Sequence, residues 1–202
     1  AASDVYKRQI QGNEAVEQAD LIIGARRMAD AVALPGQDVF YEYRSAEIAE
    51  YIKKHPEYEK VVIALSGDVG FYSGAKGLLK ALDGNAEIIC GISSVVYFMS
   101  KIGLSWDDAK IVSAHGRGCN LISHICYAEK VFSILGTSDG VAVLAEKLVK
   151  YGMGDVLLYV GENLSYENEK IFAKPASELT EYKGDPLSVI CAVNENAGTR
   201  LE

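Results

Sequence analysis

"KVVIALSGDVGFYSGAKGLLKALDG", residues 60–84, decides the fold reading. The run Lys60–Leu65 is continuously apolar after its lysine, as in a strand buried on both faces. Beyond it, Ala75, Leu78, Leu79 and Leu82 recur at i, i+3, i+4 and i+7, giving a helix with one apolar stripe that Gly84 stops. The turn "SGDVGFYSG", residues 66–74, therefore stands at the carboxyl end of a strand and opens a helix. In open α/β sheets that is where ligands bind.

The same strand-turn-helix grammar repeats outward. "DLIIGA" reads as a strand after the helix "NEAVEQA", and "AEIIC" as a strand that hands over through Gly91 to the helix "SVVYFMSKIG", with Ser93 or Ser94 as its cap. "AKIVSAHG", "KVFSIL", "DVLLYVGENLS" and "PLSVICAV" supply further strands, separated by the helical stretches "CNLISHICYAE" and "GTSDGVAVLAEKLVKYG". Alternating strands and helices predict an α/β protein with a mainly parallel sheet. The 202 residues allow two domains, read as 1–112 and 113–202 from topology alone. The first nine residues, "AASDVYKRQ", have no clear period and read as a truncation or a foreign segment.

Composition narrows the partners. Twenty basic against 28 acidic residues leave a net charge of −8, which argues against nucleic acid or an anionic membrane bound by bulk charge. An anionic ligand needs a local basic pocket. Cys90, Cys119, Cys126 and Cys191 form no C-x-x-C pair and no common zinc spacing, so no metal site is expected and a reducing cytoplasm is the natural setting. No signal peptide or long apolar span is visible in the sequence.

The turn at 66–74 is not a phosphate loop. A G-x-x-x-x-G-K-[ST] motif is not met, because Lys76 is displaced from Gly74 and no Ser or Thr follows it; a G-x-G-x-x-G fingerprint is missing too. Gly67 and Gly70, Gly91, and Gly116 instead mark turns at three strand ends, where glycine lets a ligand approach the backbone. Asp68 either favours a cationic ligand by charge or orders the turn through backbone amides, and both roles are compatible. His115, in "AHGR", is the histidine placed for chemistry: it either assists proton removal and carboxylate binding, or bonds a backbone carbonyl. Arg26, Arg27 and Arg117 offer guanidinium forks for carboxylates, with solvated helix ends as the alternative for Arg27 above all. Glu162 and Asn163 either hydrogen-bond a ligand or close a turn.

"SGDVGFYSG", "GISSVVYFMSKIGLSWDDAKIVSAHGR" and "VGENLSYENEKI" together resemble the tetrapyrrole methylases, in particular the branch that methylates C5 of cobalt-precorrin-7 in cobalamin biosynthesis. The resemblance runs from about Gly12 to Val193, with "ADLIIGARRM" as a strand and its following arginines. It implies two consecutive α/β domains with the active site in the cleft between them, S-adenosylmethionine as cofactor and a tetrapyrrole as substrate. By position it assigns Ser66, Gly67, Asp68, Phe71, Tyr72, Ser93, Ser94, Tyr159 and Val160 to the cofactor. For such a substrate the residues read above supply the candidates: Arg26, His115, Arg117, Glu162 and Asn163 beside it, with Asp68 and His115 as the catalytic candidates. A homodimer, and a separate C15-methyltransferase/decarboxylase as working partner, are implied as well. The family's opening strand and G-x-G-P-G loop have no counterpart here, so a catalytically silent S-adenosylmethionine-binding protein, or a methylase for another tetrapyrrole, stays open. An unrelated nucleotide-binding α/β module is the third possibility.

Overall fold

The computed structural model describes residues 10–68, 70–115 and 119–199. The chain packs as two compact units that divide between Ser93 and Ser94. This division falls ahead of the boundary at Val112 expected from topology, because the helix Ser94–Ile102 packs with the second unit: Phe98 is fully buried there, its ring 6.2 Å from that of Phe132.

The first unit is built on a three-stranded parallel sheet, β1 (Leu21–Gly24), β2 (Asp38–Tyr41) and β3 (Val61–Ala64), in the order β2-β1-β3. Central β1 is buried along its whole length, which is why "LIIG" shows no polar alternation. On one face Ile22 packs with Val16, Ala19 and Ala29; on the other, Leu21 and Ile23 pack with Ile48 and Leu78. These contacts are made by α1 (Ile10–Glu17), α2 (Arg26–Asp30), α3 (Ser45–Lys54) and α4 (Ala75–Ala81). Helix α3 carries Glu47 in its first turn and Lys53 and Lys54 in its last, opposite in sign to the helix dipole at each end, and His55-Pro56 ends it.

Two sequence expectations change here. Strand β2 was not anticipated, whereas "AEIIC", expected as a strand, joins no ladder among the described residues and leaves Ile88 and Ile89 exposed. An apolar β-branched run shows that a segment suits a sheet, but a strand forms only where a neighbour offers backbone partners.

The second unit holds a five-stranded sheet in the order β4-β5-β8-β6-β7. Its strands are β4 (Lys110–Ser113), β5 (Lys130–Ile134), β6 (Leu157–Glu162), β7 (Lys170–Pro175) and β8 (Ser188–Val193). Among the described strand pairs of this sheet β4–β5 alone is parallel; β8 is antiparallel to both β5 and β6, and β7 to β6. A mainly parallel sheet is thus correct for the first unit and not for the second. Helices α5 (Ser94–Ile102), α6 (Leu121–Tyr127) and α7 (Gly140–Lys150) complete the unit. The α7 stripe Val141, Leu144, Ala145 and Leu148 packs on Val131, Leu158, Val160, Ile190 and Ala192. Asn120 caps α6 by accepting the Ser123 N–H at 3.2 Å. No helix among the described residues is long and apolar enough to cross a membrane.

Candidate functional site

In the first unit the decisive geometry is the meeting of two turns. Gly67 has φ +77°, a conformation that favours glycine, and Gly91 lies against its carbonyl so closely that a Cβ on Gly91 would stand 2.4 Å from the Gly67 oxygen. "SGD" and "GIS" are therefore neighbours in space, with bare backbone where they touch. Asp68 orders the first of them: its Oδ1 accepts the Gly70 N–H at 2.8 Å and its carbonyl accepts the Phe71 N–H at 3.1 Å. Ser66 and Asp68 are half-buried. Phe71 meets Tyr72 edge to face at 5.1 Å, and Tyr72, with φ +50°, is exposed. Ser93 is buried where the second turn ends. These residues, expected as one wall of a ligand site, are brought together.

At the ends of β1 and β2, Arg26 is exposed and its guanidinium lies 4.1 Å over the Tyr41 ring, while the Tyr41 hydroxyl donates to Asp30 at 2.7 Å. The guanidinium is held by stacking with its edge donors open to a ligand.

A clamp that sequence reasoning missed stands next to it. Glu42 is buried and accepts the Arg44 Nη2 at 2.6 Å, the Arg44 Nε at 3.1 Å and the backbone N–H groups of Tyr43 and Arg44 at 2.8 and 2.9 Å. The signal was the E-x-R spacing after "DVFY", hidden because that strand was not read. The Arg44 guanidinium, helped by the two backbone N–H groups, holds the Glu42 carboxyl down to about 2 from an ordinary 4.5. A depressed carboxyl contributes stability that is fully present above 4.5 and is lost as pH falls through about 2. Arg44→Ala is therefore expected to raise the acid-unfolding midpoint, followed by near-UV circular dichroism between pH 5 and 2. Coincident midpoints would refute the clamp.

In the second unit, register assembles the other candidates. Ser113, Ile134, Val189, Gly161 and Ile171 form one row across the sheet, so β4, β5 and β6 all end at the same edge. His115 stands at that edge, exposed, with its N–H donating to Ser113 Oγ at 3.3 Å. Its ring lies against Gly136, where a Cβ would come within 2.6 Å of Nδ1. Glu162 and Asn163 reach the same edge three strands away, about 14 Å at the usual strand spacing.

Glu162 is committed to protein partners: Oε2 accepts the Tyr182 hydroxyl and Oε1 the Asp185 N–H, each at 3.0 Å. Asn163, at φ +48°, donates its N–H to the Leu187 carbonyl at 3.1 Å. Both residues thus hold the turn that follows β6 to the segment ahead of β8. Tyr159 is half-buried, while Val160 is fully buried in the core with Leu158 and Ile190, so its side chain is not presented to a ligand. Ser94, at the first turn of α5, is 4% exposed and its Oγ has no hydrogen-bond partner among the described residues. Arg117 and Gly116 lie outside the described residues.

Comparison with known proteins identifies relatives of the chain. The sequence pattern of the Tetrapyrrole (Corrin/Porphyrin) Methylases matches residues 10–180. A protein of Methanocaldococcus jannaschii named "Probable cobalt-precorrin-7 C(5)-methyltransferase" is 32% identical over 173 residues, covering 81% of each chain. The Salmonella typhimurium "Cobalt-precorrin-7 C(5)-methyltransferase" is 33% identical over 169 residues, covering 82% of this chain and 83% of its own. Among solved structures, the methyltransferase CobJ superposes with a TM-score of 0.75 at 15% identity, over 96% of this chain and 90% of its own, a likeness of fold. With a family pattern spanning most of the chain and relatives this similar over four-fifths of it, the chain belongs to the tetrapyrrole methylases.

Proposed function

We propose that this chain transfers a methyl group from S-adenosylmethionine to a carbon of a corrin-ring precursor, with C5 of cobalt-precorrin-7 as the acceptor position. The observation that carries the reading is the side-chain-free contact of Gly67 with Gly91, which sets the turn after β3 against the turn ahead of α5. The buried Ser94 Oγ, without a partner among the described residues, supports it, since such a group calls for a ligand or water.

When bound, the cofactor supplies a methyl group already activated on a sulfonium, so no nucleophilic side chain is required. What the protein contributes is position and exclusion of water. Ser66, Gly67, Asp68, Phe71, Tyr72, Ser93 and Ser94 are assigned to hold the cofactor, with Tyr159 and the backbone of Val160. Asp68 keeps its turn in shape and adds negative charge suited to a cation. Arg26, presented on Tyr41, and Arg117 are assigned to carboxylate side arms of the substrate. His115 is assigned to accept a proton at the acceptor carbon after transfer.

Calorimetric titration with S-adenosylhomocysteine, followed by incubation with cobalt-precorrin-7 and methyl-labelled donor, tests the reading. Saturable binding and a labelled product heavier by one methyl group are expected. Absence of binding heat overturns the reading, and binding without transfer assigns the chain to the silent class.

A further inference from the structure

Glu162 is 5% exposed, and a carboxylate that deeply buried is tolerated only where hydrogen bonds replace its water. Its two bonds, from Tyr182 and Asp185, both go to the segment that leads into β8. The same segment is tied at further points. The Gly184 N–H donates to the Ser138 carbonyl at 3.0 Å, the Leu187 N–H to Asp185 Oδ1 at 2.9 Å, and Asn163 bonds both the Leu187 carbonyl and the Asp185 side chain. Lys170 donates to the Tyr182 hydroxyl at 2.7 Å and sits over the Phe172 and Tyr182 rings at 5.0 and 4.8 Å. An exposed connection is ordinarily among the more mobile parts of a protein. This one is fixed from both sides, at the sheet edge where His115 stands.

The fixed segment displays a cation. Lys183 is exposed and makes no hydrogen bond or ion pair with any described residue, although Glu162, Glu178, Glu181 and Asp185 lie on or beside its own connection. An ammonium carried on rigid backbone and left without a protein carboxylate suits an anionic ligand.

We propose that Tyr182–Leu187 is a preformed recognition loop for the carboxylate side arms of the tetrapyrrole, with Lys183 as the contact and Glu162 as the residue that positions it. The proposal rests on the methyl-transfer reading above. Lys183→Glu is expected to raise KM for the tetrapyrrole about tenfold while leaving kcat and S-adenosylhomocysteine affinity unchanged. Glu162→Ala is expected to raise the same KM and to remove hydrogen-exchange protection at the Gly184 and Asp185 amides. Glu162→Gln, which keeps an acceptor for Asp185, restores both. A Lys183→Glu enzyme with wild-type KM beside an active wild type overturns the contact alone, and unchanged exchange in Glu162→Ala overturns the positioning role. A wild type that binds no cofactor and transfers no methyl group overturns the functional reading, and the contact with it.

Discussion

Gly91→Ala is expected to lower kcat/KM for methyl transfer about 100-fold, with a parallel loss of S-adenosylhomocysteine affinity and little change in thermal stability. The added Cβ would stand 2.4 Å from the Gly67 oxygen and 3.2 Å from its carbonyl carbon. Both are backbone atoms, so no rotamer change relieves the clash. One turn must move away from the other by roughly an ångström to reach ordinary contact, and displacements of that size at a reacting site cost about 100-fold. Stability is spared because the two turns lie outside the first unit's buried clusters around Ile22 and around Leu21 and Ile23. Titration calorimetry and a melting curve on the same preparation make the comparison. Unchanged affinity, or a melting point that falls as far as binding does, would refute the assignment of these turns to the cofactor.

Gly161→Ala acts on the other unit and in the opposite sense, with stability as the main casualty. A Cβ at Gly161 would meet two ring carbons of Phe98 at 2.6 and 2.7 Å and a Leu164 methyl at 2.9 Å. Phe98 has no room to yield, being fully buried beside Phe132. Overpacking of this kind costs about 1–3 kcal/mol. Urea unfolding should show a lower midpoint at unchanged slope. Shortening the partner tests the cause: in Gly161→Ala with Phe98→Leu the losses should fall short of the sum of the single changes, since the two sites are in contact. Strict additivity would place the strain elsewhere.

Much of this architecture is legible in the sequence because burial leaves a period. The stripe of α7 and the continuous apolar runs of β1 and β8 could be read directly, and they lie where read. Strand β7 escaped notice: "KIFAKP" carries two lysines and a closing proline, the usual protection of a sheet edge, which makes a strand look like a loop. The direction of pairing leaves no period at all, so the antiparallel half of the second sheet was invisible. In the site, the glycines at 67 and 91 mark two turns that meet backbone to backbone, although only Gly67 follows a strand among the described residues. Val160 did not reveal that its side chain faces the core, because neighbouring residues on a strand share composition while facing opposite ways. Glu162 and Asn163 were recognisable as polar residues after a strand. That their partners stand some twenty residues onward depends on β8 returning beside β6, a long-range fact.

That return also governs how the chain is made. β8 lies between β5 and β6, so the β4–β5 pair and the β6–β7 hairpin share no strand until Ser188–Val193 arrives. On a ribosome the first unit, whose three strands close within Leu21–Ala64, is able to settle early. The second must wait with its apolar faces unjoined, and its rate of completion is set by the closure of a long loop onto a central position. The half of the protein bearing His115 and Glu162 therefore completes its sheet only with its last strand, whereas the sheet beside Asp68 is complete by Ala64.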